Sequence, residues 1–267
     1  MRENVRITAK DNPAVKHYKR LRDQKKVRRT EGLFVAEGLR IACDALQKTG
    51  RVQQLFVTDT AWEKHGAQLT EQMPETGKLL RISDAVGDTM TDTEHTQGVF
   101  AVCRIPEQRE LSKVLSAEGK YLVLCNLQDP GNMGMILRTA DALGVDAVLT
   151  VGSCELYSPK TVRATMGSIF RVPVYDAADA QELLELLHAS GIHTYAAVPA
   201  KHAVPLTECR FAGGSAVWIG NEGNGLPAEV ITACTTAVTI PMQGGPESLN
   251  AAMAAGILMW EMMQSGE

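Results

Sequence analysis

The chain has no C-x-x-C pair. Its six cysteines, Cys43, Cys103, Cys125, Cys154, Cys209 and Cys234, are scattered, and four fall in apolar strand-like or helix-like stretches. Buried free thiols in a reducing cytoplasm are expected, rather than disulfides or zinc ligands. The six histidines show no H-E-x-x-H or other ligand spacing, so no metal is expected. The longest apolar run, residues 251–260, is about half of the ~20 residues that a membrane span needs. The N-terminus is polar and charged, without the apolar region of a signal peptide. Internal repeats and low-complexity segments are lacking, and so is the G-x-G-x-x-G fingerprint of dinucleotide sites.

What is present is a globular composition, 45% hydrophobic over 267 residues, long enough for one large domain or two ordinary ones. The formal net charge of −4 is unevenly spread. Residues 1–30 hold eleven Lys/Arg against three Asp/Glu, a local +8, and the remainder stands at −12. A basic arm on an acidic body points to a polyanionic partner.

That arm is predicted as one helix, capped by Asn12, opened by Pro13 and ended by Gly32. Val15, Tyr18 and Leu21 make its apolar stripe, with Lys16, Lys19, Arg20, Arg28 and Arg29 among the surrounding cations. So many like charges repel one another unless anions are near, so these residues are expected to contact phosphate. Strand patterns at 33–35, 54–58, 79–82 and 99–105 then alternate with helical segments at 38–49, 60–72 and 83–90. They form a small α/β domain over 31–105. A polar linker, 106–120, leads to a second domain, 121–267. Its first strand, 121–127, is apolar nearly throughout, as befits a strand buried on both faces. Strands at 147–151, 172–175, 194–198, 216–219 and 237–240 follow, a parallel-sheet α/β domain whose ligands belong at the strands' C-terminal ends.

Three loops after those strands carry the chemistry. The first, residues 126–144, has a turn at Asp129-Pro130-Gly131, Asn132 as expected helix cap, and Arg138 opposite the stripe Ile136, Ala140, Leu143. The second, residues 218–227, holds Gly220, Gly223 and Gly225, which leave main chain open to a ligand. The third, residues 240–250, runs into an apolar last helix that Ser248 or Glu247 is expected to cap. Leu249, Met253, Gly256, Trp260 and Met263 form one stripe of that helix. With Leu258, Met259 and Met262 beside it, the helix is buried in its own core or covered by a second subunit.

Together these loops resemble the three signature motifs of the SpoU (TrmH-type) branch of the SPOUT superfamily, RNA ribose 2′-O-methyltransferases that use S-adenosylmethionine. Asn12-Pro13 with its basic helix, then Phe34-Val-Ala-Glu37-Gly38 and Gln97-Gly98-Val-Phe-Ala-Val, resemble the substrate-binding domain these enzymes often carry. The resemblance implies a SPOUT domain with a deep trefoil knot, an obligate homodimer and a cytoplasmic enzyme. It implies that Gly220, Asn221, Ile240, Met242 and Leu249 hold the donor, and that Asn132, Arg138, Glu222, Ser248 and Asn250 surround the reacting ribose. The segment from Ser158 to Gly167 matches a further family stretch, with Thr165 where Ser is usual, and its Lys160 and Arg163 are expected to contact RNA. A guanidinium does not readily give up its proton. Arg138 is therefore expected to hold the adjacent phosphate and stabilise the incipient alkoxide rather than act as a base. Members with this N-terminal domain mostly modify ribosomal RNA, whereas the tRNA branch usually lacks it, so the resemblance implies a ribosomal, large-subunit substrate. The alternatives are a tRNA ribose methyltransferase and an inactive RNA-binding assembly factor of the same fold.

Overall fold

Helix α1 (Pro13–Asp23) starts where its residues dictate, with the Asn12 side chain accepting from the Ala14 N–H at 2.9 Å and Pro13 in the first turn. It does not run to Gly32. Gln24 leaves helical geometry (φ −123°, ψ 106°), and α2 (Lys25–Glu31) begins anew before Gly32 ends it in the left-handed region. Arg28 accounts for the break. Its guanidinium is buried and donates to the Leu21 and Arg22 carbonyls at 2.6 and 2.8 Å, supplying the donors those groups need at the interruption. Arg28 is thus withdrawn from the phosphate-contacting face on which it was expected.

The structure, a computed structural model, describes residues 6–49, 51–200, 202–244 and 248–264. The chain folds as two units, one of Met1–Pro106 with Leu156–Phe170, the other of Glu107–Glu155 with Arg171–Glu267. In the first, β1 (Arg6–Ile7) precedes α1, and after α2 come β2 (Leu33–Glu37), α3 (Leu39–Thr49), β3 (Val52–Thr58), α4 (Asp59–Gln72), β4 (Lys78–Ile82), α5 (Asp84–Met90) and β5 (Val99–Arg104). The sheet order is β1-β4-β3-β5-β2, with β5 antiparallel to both neighbours. One face buries Val15, Tyr18 and Leu21 of α1, and Tyr18 meets Phe56 and Phe100 edge-on at 5.9 and 5.6 Å. Each fully buried aliphatic side chain such as Leu21 contributes about 1.5–3 kcal/mol, so the basic helix is a structural member of this unit. The other face packs α3 and α4 together with Val162, Ile169 and Phe170 of the 156–170 segment. That segment contains α7 (Pro159–Ala164), so Lys160 and Arg163 belong to the first unit.

The second unit comprises β6 (Lys120–Cys125), α6 (Pro130–Leu143), β7 (Ala147–Val151), β8 (Val174–Ala177), α8 (Ala180–Ala189), β9 (His193–Ala197), β10 (Val204–Pro205), β11 (Ser215–Ile219), α9 (Ala228–Ala233), β12 (Thr236–Thr239) and α10 (Ala251–Gln264). Its seven strands, ordered β10-β12-β9-β11-β6-β7-β8, pair in parallel throughout. Every residue of β7 and β11 is buried, the two-sided burial that their predominantly apolar sequences, each with one buried hydroxyl (Thr150, Ser215), require. Helix α6 is capped by Asp129, not Asn132; the Asp129 carboxylate accepts from the Asn132 N–H at 2.8 Å. Helix α10 packs against α6 and is buried through Ala255, Leu258, Met259 and Met262. Met253 and Trp260 on its other face are more than half exposed. No disulfide joins any of the six cysteines. Among the described residues no helix is long and apolar enough to cross a membrane.

Candidate active site

The C-terminal ends of β9, β11 and β12 open into one cavity of about 490 Å³. Its walls come from residues 197–200 after β9, the 219–226 loop after β11, and Val238, Thr239, Ile240, Met242, Ser248 and Leu249 together with the first turns of α10. Gly220, Asn221, Ile240, Met242 and Leu249, the expected donor-holding set, all line it, and so do Glu222 and Ser248. Gly220 is required by space, since a Cβ there would stand 2.2 Å from the Gly225 carbonyl carbon. Asn221 spends its side chain on the loop itself. Its Oδ1 accepts from the N–H groups of Gly223 and Asn224 at 2.9 and 3.0 Å, and its Nδ2 donates to the Asn126 carbonyl at 2.9 Å. What Asn221 offers the cavity is therefore main chain.

The charge of the wall is informative. No lysine or arginine lines the cavity among the described residues, and its one carboxylate is Glu222. Phosphate would find no counter-charge among the described lining residues, whereas a cationic sulfonium attached to a nucleoside meets apolar side chains, open main chain and one anion. The residues therefore fit S-adenosylmethionine and not a dinucleotide.

Glu222 is the hub of a network joining the three loops. Its carboxylate accepts from Asn132 Nδ2 at 3.0 Å, from the Asp129 N–H at 3.0 Å and from the Gln128 N–H at 3.1 Å. Burial pushes the Glu222 carboxyl up, but these hydrogen bonds outweigh it and hold the group below the ordinary carboxylate value. With its amide nitrogen committed to Glu222, Asn132 turns its oxygen to accept from Asn250 Nδ2 at 3.0 Å. Asn250 Oδ1 in turn accepts from the Ala252 and Met253 N–H groups, so Asn250, not Ser248, caps α10. Glu247, the other expected cap, lies outside the described residues.

Arg138 is apart from this network. It is exposed on α6, about 9 Å further along the helix axis than Asn132 at 1.5 Å per residue. It has no hydrogen-bond or ion-pair partner among the described residues. Of the expected RNA contacts, Lys16, Arg20 and Arg29 are exposed and Lys19 partly so. Burial and then the like charges of Arg22 and Lys10 lower the Lys19 ammonium. Lys160 is exposed on α7. Arg163 is held instead by a bidentate pair with Asp92 and lies 3.8 Å from Glu37. Sequence reasoning missed residues 197–200 and the Gln128 and Asp129 amides. The rule that ligands gather beyond parallel strand ends could have found the former; main-chain donors leave no trace in residue type. Among the described residues no group of three or more His, Cys, Asp or Glu could hold a metal ion.

Residues 119–260 match the SpoU rRNA Methylase family, and residues 12–101 match the MRM3-like substrate binding domain. The 23S rRNA (guanosine(2553)-2′-O)-methyltransferase RlmP of Bacillus subtilis (strain 168) is 32% identical over 258 residues, covering 96% of this chain and 98% of that protein. An AdoMet-bound rRNA methyltransferase from Sinorhizobium meliloti superposes with a TM-score of 0.88 at 30% identity, over 97% of each chain. A solved RNA 2′-O ribose methyltransferase gives 0.81 at 31%, over 98% of this chain and 99% of its own.

Proposed function

The chain belongs to the SpoU rRNA methylase family, and on that premise we propose that it is an S-adenosylmethionine-dependent RNA 2′-O-ribose methyltransferase acting on large-subunit ribosomal RNA. The observation that carries the reading is the cavity in the second unit, which has no lining cation among the described residues, is walled largely by main chain and apolar side chains, and is lined by Glu222 of the three-loop network. When bound, S-adenosylmethionine supplies a methyl group on a sulfonium, already activated for transfer. Gly220, Asn221, Ile240, Met242 and Leu249 would hold it, through main chain and apolar contact. We read the loops around this cavity as the knotted part of the fold.

The remaining residues act on the acceptor. Glu222, kept ionised by its donors, fixes the amide of Asn132, and through it Asn250 and the start of α10. These three are positioning residues. Ser248, exposed at the cavity, orients the ribose. Arg138, as a permanent cation, holds the phosphate next to the reacting ribose and stabilises negative charge growing on its 2′-oxygen. Its distance from the cavity network is bridged by a second copy of the chain. Met135 on α6 and Met253, Ile257 and Trp260 on α10 expose an apolar face beside Arg138, which a homodimer would cover. A ribosomal RNA substrate also places the enzyme in the cytoplasm.

Mass-spectrometric mapping of ribose methylation in ribosomal RNA, from cells with and without the gene, tests the activity and its target. One 2′-O-methyl group in large-subunit RNA should disappear with the gene. A loss confined to tRNA would overturn the substrate, and failure of the purified chain to bind the donor by calorimetry would overturn the enzyme. Sedimentation at micromolar concentration should show a dimer that Trp260→Asp dissociates.

A further inference from the structure

The sheet of the first unit is electrostatically lopsided. At one end lie the C-terminal ends of β2, β3 and β4, with Glu37, Asp59 and Asp84 in the last position of β2 and the first positions of α4 and α5. Cations there are already matched by carboxylates. Asp59 accepts from Arg6 and Arg81 at 2.6 and 2.7 Å, and Asp92 holds Arg163. The cleft at that end carries Arg40 and Lys64 on its rim, but also Asp84 and Asp88.

At the opposite end β3 and β4 begin and β5 finishes, around a cleft of about 430 Å³ lined by Arg51, Lys78, Arg104, Gln53, Gln54 and Thr76, with no carboxylate among the described lining residues. Local geometry builds it. The Arg104 N–H donates to the Arg51 carbonyl at 3.0 Å, and Lys78 pairs in register with Gln54. A register shift between Val52 and Gln54 bulges β3 at Gln53. The Gln53 amide, oxygen turned toward the guanidinium, accepts from Arg104 Nε at 3.3 Å and Nη2 at 2.8 Å. Arg104 is thereby positioned by a neutral partner and keeps its full charge. The turn into β4 is tight at Gly77, where a Cβ would lie 2.3 Å from Met73 Cε and 3.1 Å from the Val52 carbonyl oxygen. Lys78 and Arg104 are exposed, and neither has a carboxylate partner among the described residues. Exposed Arg29, in the last turn of α2 just before β2, stands at this same end of the sheet.

We propose that this Arg51–Lys78–Arg104 cleft is a binding site for the phosphodiester backbone of the substrate RNA, with Lys78 and Arg104 each neutralising one phosphate. The proposal rests on the RNA-methyltransferase reading for the identity of the polyanion, while the cleft and its charge stand apart from the methyl-transfer cavity. The site contributes affinity and register rather than base identity, since its groups are cations and amides facing a uniform backbone.

The test uses the full chain and a labelled short RNA hairpin, with affinity followed by fluorescence anisotropy between about 50 and 200 mM salt. Replacing Lys78→Gln and Arg104→Gln together should flatten the slope of log affinity against log salt by about 1.4–1.8, and cost roughly eightfold in affinity per cation near 0.1 M salt. The charge-preserving pair Lys78→Arg and Arg104→Lys should restore the slope, which a variant defective in folding would not do. Arg40→Gln with Lys64→Gln, the same charge loss at the other end of the sheet, should leave the slope unchanged. An unaltered slope in the first pair, an equal loss in the Arg40/Lys64 pair, or failure of the charge-preserving pair to restore it would overturn the site. Failure of methylation with the slope behaviour intact would instead overturn the methyltransferase reading and leave the cleft standing as a polyanion site.

Discussion

Two concavities of similar size, one in each unit, differ in almost everything else. The cavity beyond β9, β11 and β12 measures about 490 Å³, has no lining cation among the described residues, and is shaped by glycines and apolar side chains. The cleft at the start of β3 and β4 measures about 430 Å³ and is lined by Arg51, Lys78 and Arg104, with no carboxylate among its described lining residues. The first selects a ligand chiefly by shape and main-chain hydrogen bonds, with Glu222 as its one charged group, so it should be intolerant of small steric change and respond little to salt. The second works by charge, so it should tolerate steric change and respond steeply to salt. Size alone says little about what a pocket takes; the charge of its wall says more.

The comparison breaks first at Gly220. Gly220→Val puts a branched side chain where even a Cβ would stand 2.2 Å from the Gly225 backbone. Donor binding measured by calorimetry should be abolished, with RNA affinity and its salt dependence unchanged. Retained donor binding would mean that the cavity is not the donor site. Next comes Arg138→Ala, expected to slow single-turnover methylation about 10²–10³-fold with donor affinity intact, the usual cost of removing one preorganised charge-stabilising group. A rate near that of the unaltered chain would exclude Arg138 from the reaction.

Glu222→Gln sharpens the contrast from inside the cavity. It removes the anion that accepts from Asn132, Gln128 and Asp129 and leaves those donors poorly matched, at a cost of about 1–3 kcal/mol in stability. The pH dependence has a definite sign. Because the folded carboxyl is held below its ordinary value, its stabilisation is present above that ordinary value and lost as pH falls through the folded one. Urea unfolding across the acid range should therefore show a steeper fall in stability for the unaltered chain than for Glu222→Gln. Parallel curves would mean that Glu222 is not ionised in the network.

The strand pattern of the second unit was legible in the sequence because both-sided burial writes itself as nearly continuous apolar runs, as at 147–151 and 121–125. That Gly220, Asn221, Ile240, Met242 and Leu249 belong to one cavity was legible through the resemblance of the loops, since glycines and polar residues at fixed offsets mark main-chain sites. Contacts between distant segments were not. The packing of 156–170 with the first unit depends on Val162, Ile169 and Phe170 meeting Phe34 and its neighbours across more than a hundred residues. The two mistaken caps share a cause. Asp129, Asn132 and Asn250 are all competent cap residues, but Asn132 has its amide nitrogen on Glu222 and its oxygen on Asn250, while Asp129 and Asn250 turn their oxygens to the helices. The break at Gln24 likewise needed Arg28 to fold back onto two carbonyls, a choice that a pattern of alternating charges cannot display.

Arg28 and its neighbour Arg29 give the smallest and most discriminating test. They are adjacent in sequence and identical in type, and composition assigns both to the basic face; the structure buries the first and exposes the second. Arg29→Gln should lower RNA affinity by less than about tenfold, take roughly 0.7–0.9 off the salt slope, and leave the melting temperature unchanged. Arg28→Met should do the reverse. It strands the Leu21 and Arg22 carbonyls at the Gln24 break, costs about 1–3 kcal/mol in thermal or urea unfolding, and leaves the salt slope as it was. Deleting the whole arm could not separate these effects, because Val15, Tyr18 and Leu21 are part of the core and would be lost with the charges. If both single substitutions instead moved the salt slope equally, the division of the arm into a structural and an RNA-facing side would fail, and every cation in it would count as polyanion contact.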